Sequence, residues 1–286
     1  MRAKTLPLLT GILLLTACSG GGGTPPSPAA APTSSPGSAT PGPTSSSPPP
    51  PPSSSSASPP STSAVPPVGS GKVVVLDPGH NGGNAAHPGE INRKVPAGRG
   101  QTKPCNTTGT STNAGYPEHA FTFAVAKEIG NALAAKGIKV VYTRQNDSGV
   151  GPCVDERARI GNDANADAVV SIHADGSTSP TAHGFHVAYS APPLNAAQGE
   201  PSLKLARTMR DGIRDDGFAT STYIGSAGLS PRNDLGGLNL STRPSVLVEC
   251  GNMRNADEAG QMSSAAGRLR YAQAIAKAIE AYLAGS

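Results

Sequence analysis

Three apolar runs, each ending in a single polar side chain, constrain this chain more than any other feature. They are Val73-Val74-Val75-Leu76 leading into Asp77-Pro78-Gly79-His80, Ala168-Val169-Val170-Ser171-Ile172 leading into His173, and Val246-Leu247-Val248 leading into Glu249. Runs rich in β-branched residues and bounded by Gly, Pro or Asp read as strands buried on both faces, as in a parallel sheet. In open α/β sheets, ligands sit beyond the carboxyl ends of the strands. Two histidines and a glutamate at three strand ends therefore predict one shared site.

The segments between these runs fit the same plan. Residues 81–117 form a long insertion rich in Gly, Asn, Pro and Thr that contains Cys105. From Glu118 to Lys136, Phe121, Val125, Ile129 and Leu133 recur at helical spacing and Gly137 supplies the stop. A strand over Ile138–Thr143, a helix from Val154 to about Asn165 and a strand over Gly184–Tyr189 follow. Further helices are expected from about Pro201 to Asp215 and from about Arg268 to Leu283, with Phe218–Asn239 glycine-rich, irregular and at the rim of the cleft. Strands alternating with helices predict an α/β fold, a mostly parallel sheet with helices on both faces.

Composition divides the chain into three parts. Arg2 and Lys4 precede a short apolar stretch ending in Leu15-Thr16-Ala17-Cys18, the pattern of an export signal. That ending resembles the lipobox of bacterial lipoproteins, which implies lipid on Cys18 and residues 1–18 as a lipoprotein-type signal peptide. Residues 19–70 consist mainly of Gly, Pro, Ser, Thr and Ala and carry no charge, so they are expected to be a disordered tether reaching about 40 Å. Residues 71–286 form one domain holding all 19 acidic and 21 of the 23 basic residues, a net charge of +2. Such a balance argues against a nucleic-acid partner. In an exported chain, Cys105 and Cys153, both in predicted loops, are expected to pair, leaving Cys250 as a buried thiol.

His80 and His173 are suited to bind zinc through imidazole nitrogen, and catalytic zinc takes three protein ligands with a fourth position for water. The third ligand must lie on the same sheet edge. Glu118 opens a helix that follows a strand and so meets that condition, although helix-dipole stabilisation alone would also select it. Glu90 is the rival carboxylate, in a loop with nothing to fix its direction. His119 faces elsewhere on the helix, and His87, His183 and His186 have no supporting pattern. For Glu249, burial raises the pKa and a nearby zinc lowers it. The ionised form is expected.

Read in order, these stretches resemble the zinc-dependent N-acetylmuramoyl-L-alanine amidases of bacterial cell walls over residues 72–284. The matching residues are Leu76–His80, Glu118 at a helix start, Val141-Tyr142-Thr143-Arg144 with Asp147, and Arg157 with Ala164-Asn165. Ser171-Ile172-His173-Ala174-Asp175, Gly184-Phe185 and Val246–Glu249 follow, then Asn255 and Glu258. The resemblance implies a six-stranded α/β amidase fold, Zn2+ on His80, Glu118 and His173, and Glu249 as the catalytic carboxylate. It also implies a peptidoglycan or muropeptide substrate, cut between the lactyl group of N-acetylmuramic acid and L-alanine. The stretch between His80 and Glu118 is longer than usual for the family. Arg144 and Arg157 are read as structural ion pairs rather than substrate holders. Two alternatives remain open at this point: a zinc peptidase of the stem peptide, and a non-catalytic wall-binding lipoprotein.

Overall fold

The computed structural model describes residues 71–285; the expected signal peptide ending at Cys18 and the expected tether over 19–70 lie outside the described residues. In chain order the elements are β1 (Val73–Pro78), α1 (Pro88–Ile91), β2 (Lys94–Pro96), β3 (Thr102–Pro104), α2 (Glu118–Ala134), β4 (Lys139–Tyr142), α3 (Val154–Asp163) and β5 (Ala168–Asp175). Then come β6 (His186–Ser190), α4 (Glu200–Asp215), β7 (Leu229–Arg232), α5 (Gly236–Asn239), β8 (Ser245–Asn252), α6 (Ala256–Ser263) and α7 (Ala265–Ala284). Six strands form one sheet in the order β4-β1-β5-β8-β6-β7. The first four run parallel, β6 runs antiparallel to β8, and β7 runs parallel to β6. The expected mostly parallel sheet with helices on both faces is present.

Side chains alternate between the faces of a strand, so each apolar run serves two layers. On the back face, Val74, Leu76, Val170, Ile172, Val246 and Val248 join one core with α2, α4 and α7. The helical spacing read in α2 is the reason: Phe121, Val125, Ile129 and Leu133 form one stripe, and each is completely buried. On the front face, Val75 and Val169 belong to a much smaller cluster with Ala166. That face is covered by α3 and the four-residue α5. Toward the carboxyl edge the front-face side chains turn polar. Asp77 pairs with Ser171, and beyond them His173 pairs with Glu249 and Glu249 with His186.

Three local expectations are corrected. The 81–117 insertion is not all loop: it contains α1 and a two-stranded antiparallel hairpin of β2 and β3. The 218–239 stretch contains the sheet's edge strand β7 and helix α5, which are each four residues long and so show no periodicity. The C-terminal helix begins at Ala265, because Ser264 caps it by accepting from the Gly267 amide at 3.0 Å. Cys105 and Cys153 are joined as expected, and Cys250 is a buried free thiol. No helix among the described residues is long and apolar enough to cross a membrane.

Candidate functional site

β1 ends in a turn that delivers His80. Its backbone adopts φ 60, in the left-handed region that a residue with a Cβ rarely visits. Two buried arginines hold the turn. Arg157 donates to the carbonyls of Pro78 and His80, both at 2.7 Å, and to Asp77 Oδ1 at 2.6 Å. Arg144 donates to the Pro78 carbonyl at 3.0 Å and to Asp147 at 2.9 Å. Both arginines are thus structural, as the sequence reading expects. Asp77 also accepts from the hydroxyls of Thr143 and Ser171, each at 2.6 Å. Burial works to raise its pKa, but Arg157 and the two hydroxyls outweigh it and hold it at about 2.

His80 Nδ1 lies 3.1 Å from the Thr107 carbonyl, a contact that orients the ring and turns Nε2 toward the site. That Nε2 lies 3.0 Å from Glu118 Oε1, and His173 Nδ1 meets the same oxygen at 3.0 Å. Glu118 is 4% exposed. Its direction is fixed by two backbone amides, Ala174 N on Oε1 at 3.1 Å and Thr110 N on Oε2 at 2.9 Å. Burial alone would raise its carboxyl, yet His80 and His173 bring it well below the ordinary range. Two glycines leave room for this cluster. A Cβ on Gly79 would lie 2.3 Å from the His173 ring, and one on Gly109 (φ +78) 2.8 Å from Glu118 Oε2.

One ligand atom from each of His80, Glu118 and His173 lies within 4.8 Å of the others. Donors held about 2.1 Å from a tetrahedral zinc stand roughly 3.4 Å apart, so this two-nitrogen, one-oxygen set fits such an ion with little movement. Glu90 is not part of it: it sits exposed on α1. Nor is His119, which pairs with Asp147 at 2.8 Å. His87 and His183 are exposed and bond to backbone carbonyls. Asn255 caps α6, while Glu258 accepts from the amides of Gly184 and Asn252 and so ties the start of β6 to the end of β8.

Glu249 is the cross-strand partner of His173, and its Oε2 is buried without a hydrogen-bond partner. Burial pushes its carboxyl well above the ordinary range, and Asp175 and Glu118 add to the rise against the pull of Arg232. The protein's own groups thus shift it toward the protonated form, the direction expected from burial. A cation on the neighbouring triad would add to the opposing pull of Arg232. His186, without a pattern in the sequence, lies beside Glu249 because β6 enters the sheet antiparallel. It is buried, its Nδ1 has no hydrogen-bond partner, and burial, with Arg232, holds it neutral at about 4. From the 218–239 stretch, Tyr223 donates its hydroxyl to Asp175 at 3.0 Å. No sequence signal singles out His186 or Tyr223, since strand pairing brings them in.

Residues 74–281 match the Amidase_3 family, described as N-acetylmuramoyl-L-alanine amidase. The N-acetylmuramoyl-L-alanine amidase Rv3717 of Mycobacterium tuberculosis is 50% identical over 215 residues, covering 75% of this chain and 88% of that protein. This chain belongs to the N-acetylmuramoyl-L-alanine amidase family. The amidase fold it shares is seen in the crystal structure of Ami1 from Mycobacterium smegmatis, at TM-score 0.74 and 51% identity, covering 76% of this chain and 99% of that one. Ami1 from Mycobacterium abscessus, solved in its apo form, gives TM-score 0.72 and 53% identity over 75% of this chain and 99% of that one. A more distant amidase, AmiA of Escherichia coli, is 28% identical over 75% of this chain and 77% of its own length.

Proposed function

We propose that this amidase hydrolyses the amide between the lactyl group of N-acetylmuramic acid and L-alanine in peptidoglycan, using a zinc ion held by His80 Nε2, Glu118 Oε1 and His173 Nδ1. The observation that carries this reading is the preformed triad with a buried, unpartnered carboxylate oxygen on the adjacent strand. The bound ion would polarise the scissile carbonyl and lower the pKa of an attacking water to about 7. The chain's own residues do the rest. Glu249 Oε2 accepts the proton of the attacking water and returns it to the leaving nitrogen, a role typically worth about 10²–10⁴-fold in rate. The Thr107 carbonyl and the Ala174 and Thr110 amides keep His80 and Glu118 aimed. Tyr223 keeps Asp175 turned toward the front face beside Glu249.

Digestion of purified sacculi by the zinc-loaded chain, followed by mass analysis, tests the bond cut. Peptides beginning with L-alanine and bare glycan strands are expected. Fragments cut inside the stem peptide would replace the amidase reading with the peptidase one. We also propose export and membrane anchoring through lipid on Cys18, supported by the Leu15–Cys18 pattern and the uncharged stretch after it. Cys18→Ala should leave the membrane fraction, and unchanged detergent partitioning would refute the anchor.

A further inference from the structure

Below the triad, on the front face of the sheet, lies a cavity of about 190 Å³. Val169 and Leu247 of the sheet, Val154 and Ala158 of α3, and Leu235 and Leu238 at α5 make it mainly apolar. The one-turn α5 lines it with Gly236 and Gly237, which contribute no side chains to fill it. Its walls are pinned on two sides. The Cys105–Cys153 bond joins the neighbours of three lining residues, Pro104, Asn106 and Val154, and Lys103 meets Asp234 at 3.5 Å. At its other end the lining changes to His80 and His173, two of the three triad residues. An apolar cavity of about 150 Å³ stays dry and takes up benzene, so this one has room for a ring or a branched alkyl group.

We propose that this cavity is a binding site for a small apolar ligand carrying an acidic, metal-seeking head group, such as an aryl or branched-alkyl carboxylate or hydroxamate. The head lies at His80 and His173, and the body fills the space between α3, α5 and the sheet. Placement of the head rests on the reading of the triad as a metal site, whereas placement of the body does not. The two are therefore tested separately.

For the body, the metal-free full chain is heated with and without toluene. Toluene should raise the unfolding temperature of the unaltered chain, and Gly237→Phe and Ala158→Phe should each abolish that rise. A Cβ on Gly237 meets only the Val154 carbonyl oxygen at 3.9 Å, so a side chain can grow there without moving backbone. No rise in the unaltered chain, or an equal rise in both variants, overturns the proposal. For the head, acetohydroxamate and benzohydroxamate are titrated calorimetrically into the zinc-loaded full chain. Benzohydroxamate should bind at least about tenfold tighter, as burial of the ring predicts. In Gly237→Phe that gain should vanish while acetohydroxamate affinity is kept. Equal affinities in the unaltered chain overturn the proposal. If neither hydroxamate binds the zinc-loaded chain while toluene still stabilises, the head-group placement is overturned and the apolar site stands; a chain that takes up no zinc by elemental analysis overturns the metal reading instead.

Discussion

The back face of the sheet is closed by α2, α4 and α7, with Phe121, Leu205 and Ile279 fully buried, whereas the front face gathers only Val75, Ala166 and Val169 into a connected apolar core. In place of packing, the front face carries an ion pair, a network of arginines on backbone carbonyls, a cavity and a row of ionisable side chains. The two faces share the same strands, so the difference is not one of secondary structure. One face binds the domain together through burial of apolar area. The other is thereby free to keep polar atoms such as Glu249 Oε2 unpaired, a cost that a small domain bears only when its core lies elsewhere.

The comparison is broken most directly by truncating one side chain on each face. Phe121→Ala should cost about 3–5 kcal/mol in urea unfolding of the metal-free chain, the usual penalty for emptying a packed aromatic site. Leu247→Ala, whose side chain borders the cavity, should cost only about 1 kcal/mol because it already lacks neighbours on one side. Similar losses at the two positions would mean that the front face is packed as well as the back. The reverse asymmetry is expected in catalysis. Glu249→Gln should keep zinc content by elemental analysis and fold normally, while muropeptide release falls by at least about a hundredfold. Full zinc with retained turnover would remove Glu249 from the chemistry, and lost zinc would make it a ligand.

Acid sharpens the contrast, since the front face is held partly by charge. Asp77 is depressed to about 2 in the folded chain, so its contribution is complete above its ordinary value of 3.8 and is lost as the pH falls toward 2. That contribution is roughly 2 kcal/mol. Asp77→Asn should be weakened by a similar amount at neutral pH and should lack that increment of acid sensitivity between pH 4 and 2. An unchanged acid slope in chemical unfolding would place the acid-sensitive groups elsewhere. The smallest effect separates two carboxylates. Glu118→Ala should surrender zinc to a moderate chelator concentration, and Glu90→Ala, removing an exposed side chain on α1, should change neither zinc content nor stability measurably. Equal retention in the two variants would dissolve the triad.

Much of this organisation is written locally. β-branched runs make strands, the Phe121–Leu133 stripe makes α2, and a polar residue at the end of each buried run must reach the carboxyl edge, so His80, His173 and Glu249 are legible in the sequence. Glu118 is legible too, because a helix that follows β1 starts at that edge. Other features depend on which strands become neighbours, and no short-range pattern encodes that. His186 stands beside Glu249 because β6 pairs antiparallel with β8, a choice fixed by the closing of the whole sheet. Tyr223 reaches Asp175 across 48 residues of sequence. The rise of the Glu249 pKa depends on burial and on Asp175 and Glu118 together. Sequence alone determined the residues of the candidate triad and the strand end that carries the carboxylate. The tertiary structure decided their electrostatics and the unequal filling of the two faces, because burial, charge proximity and voids belong to atoms brought together from distant parts of the chain.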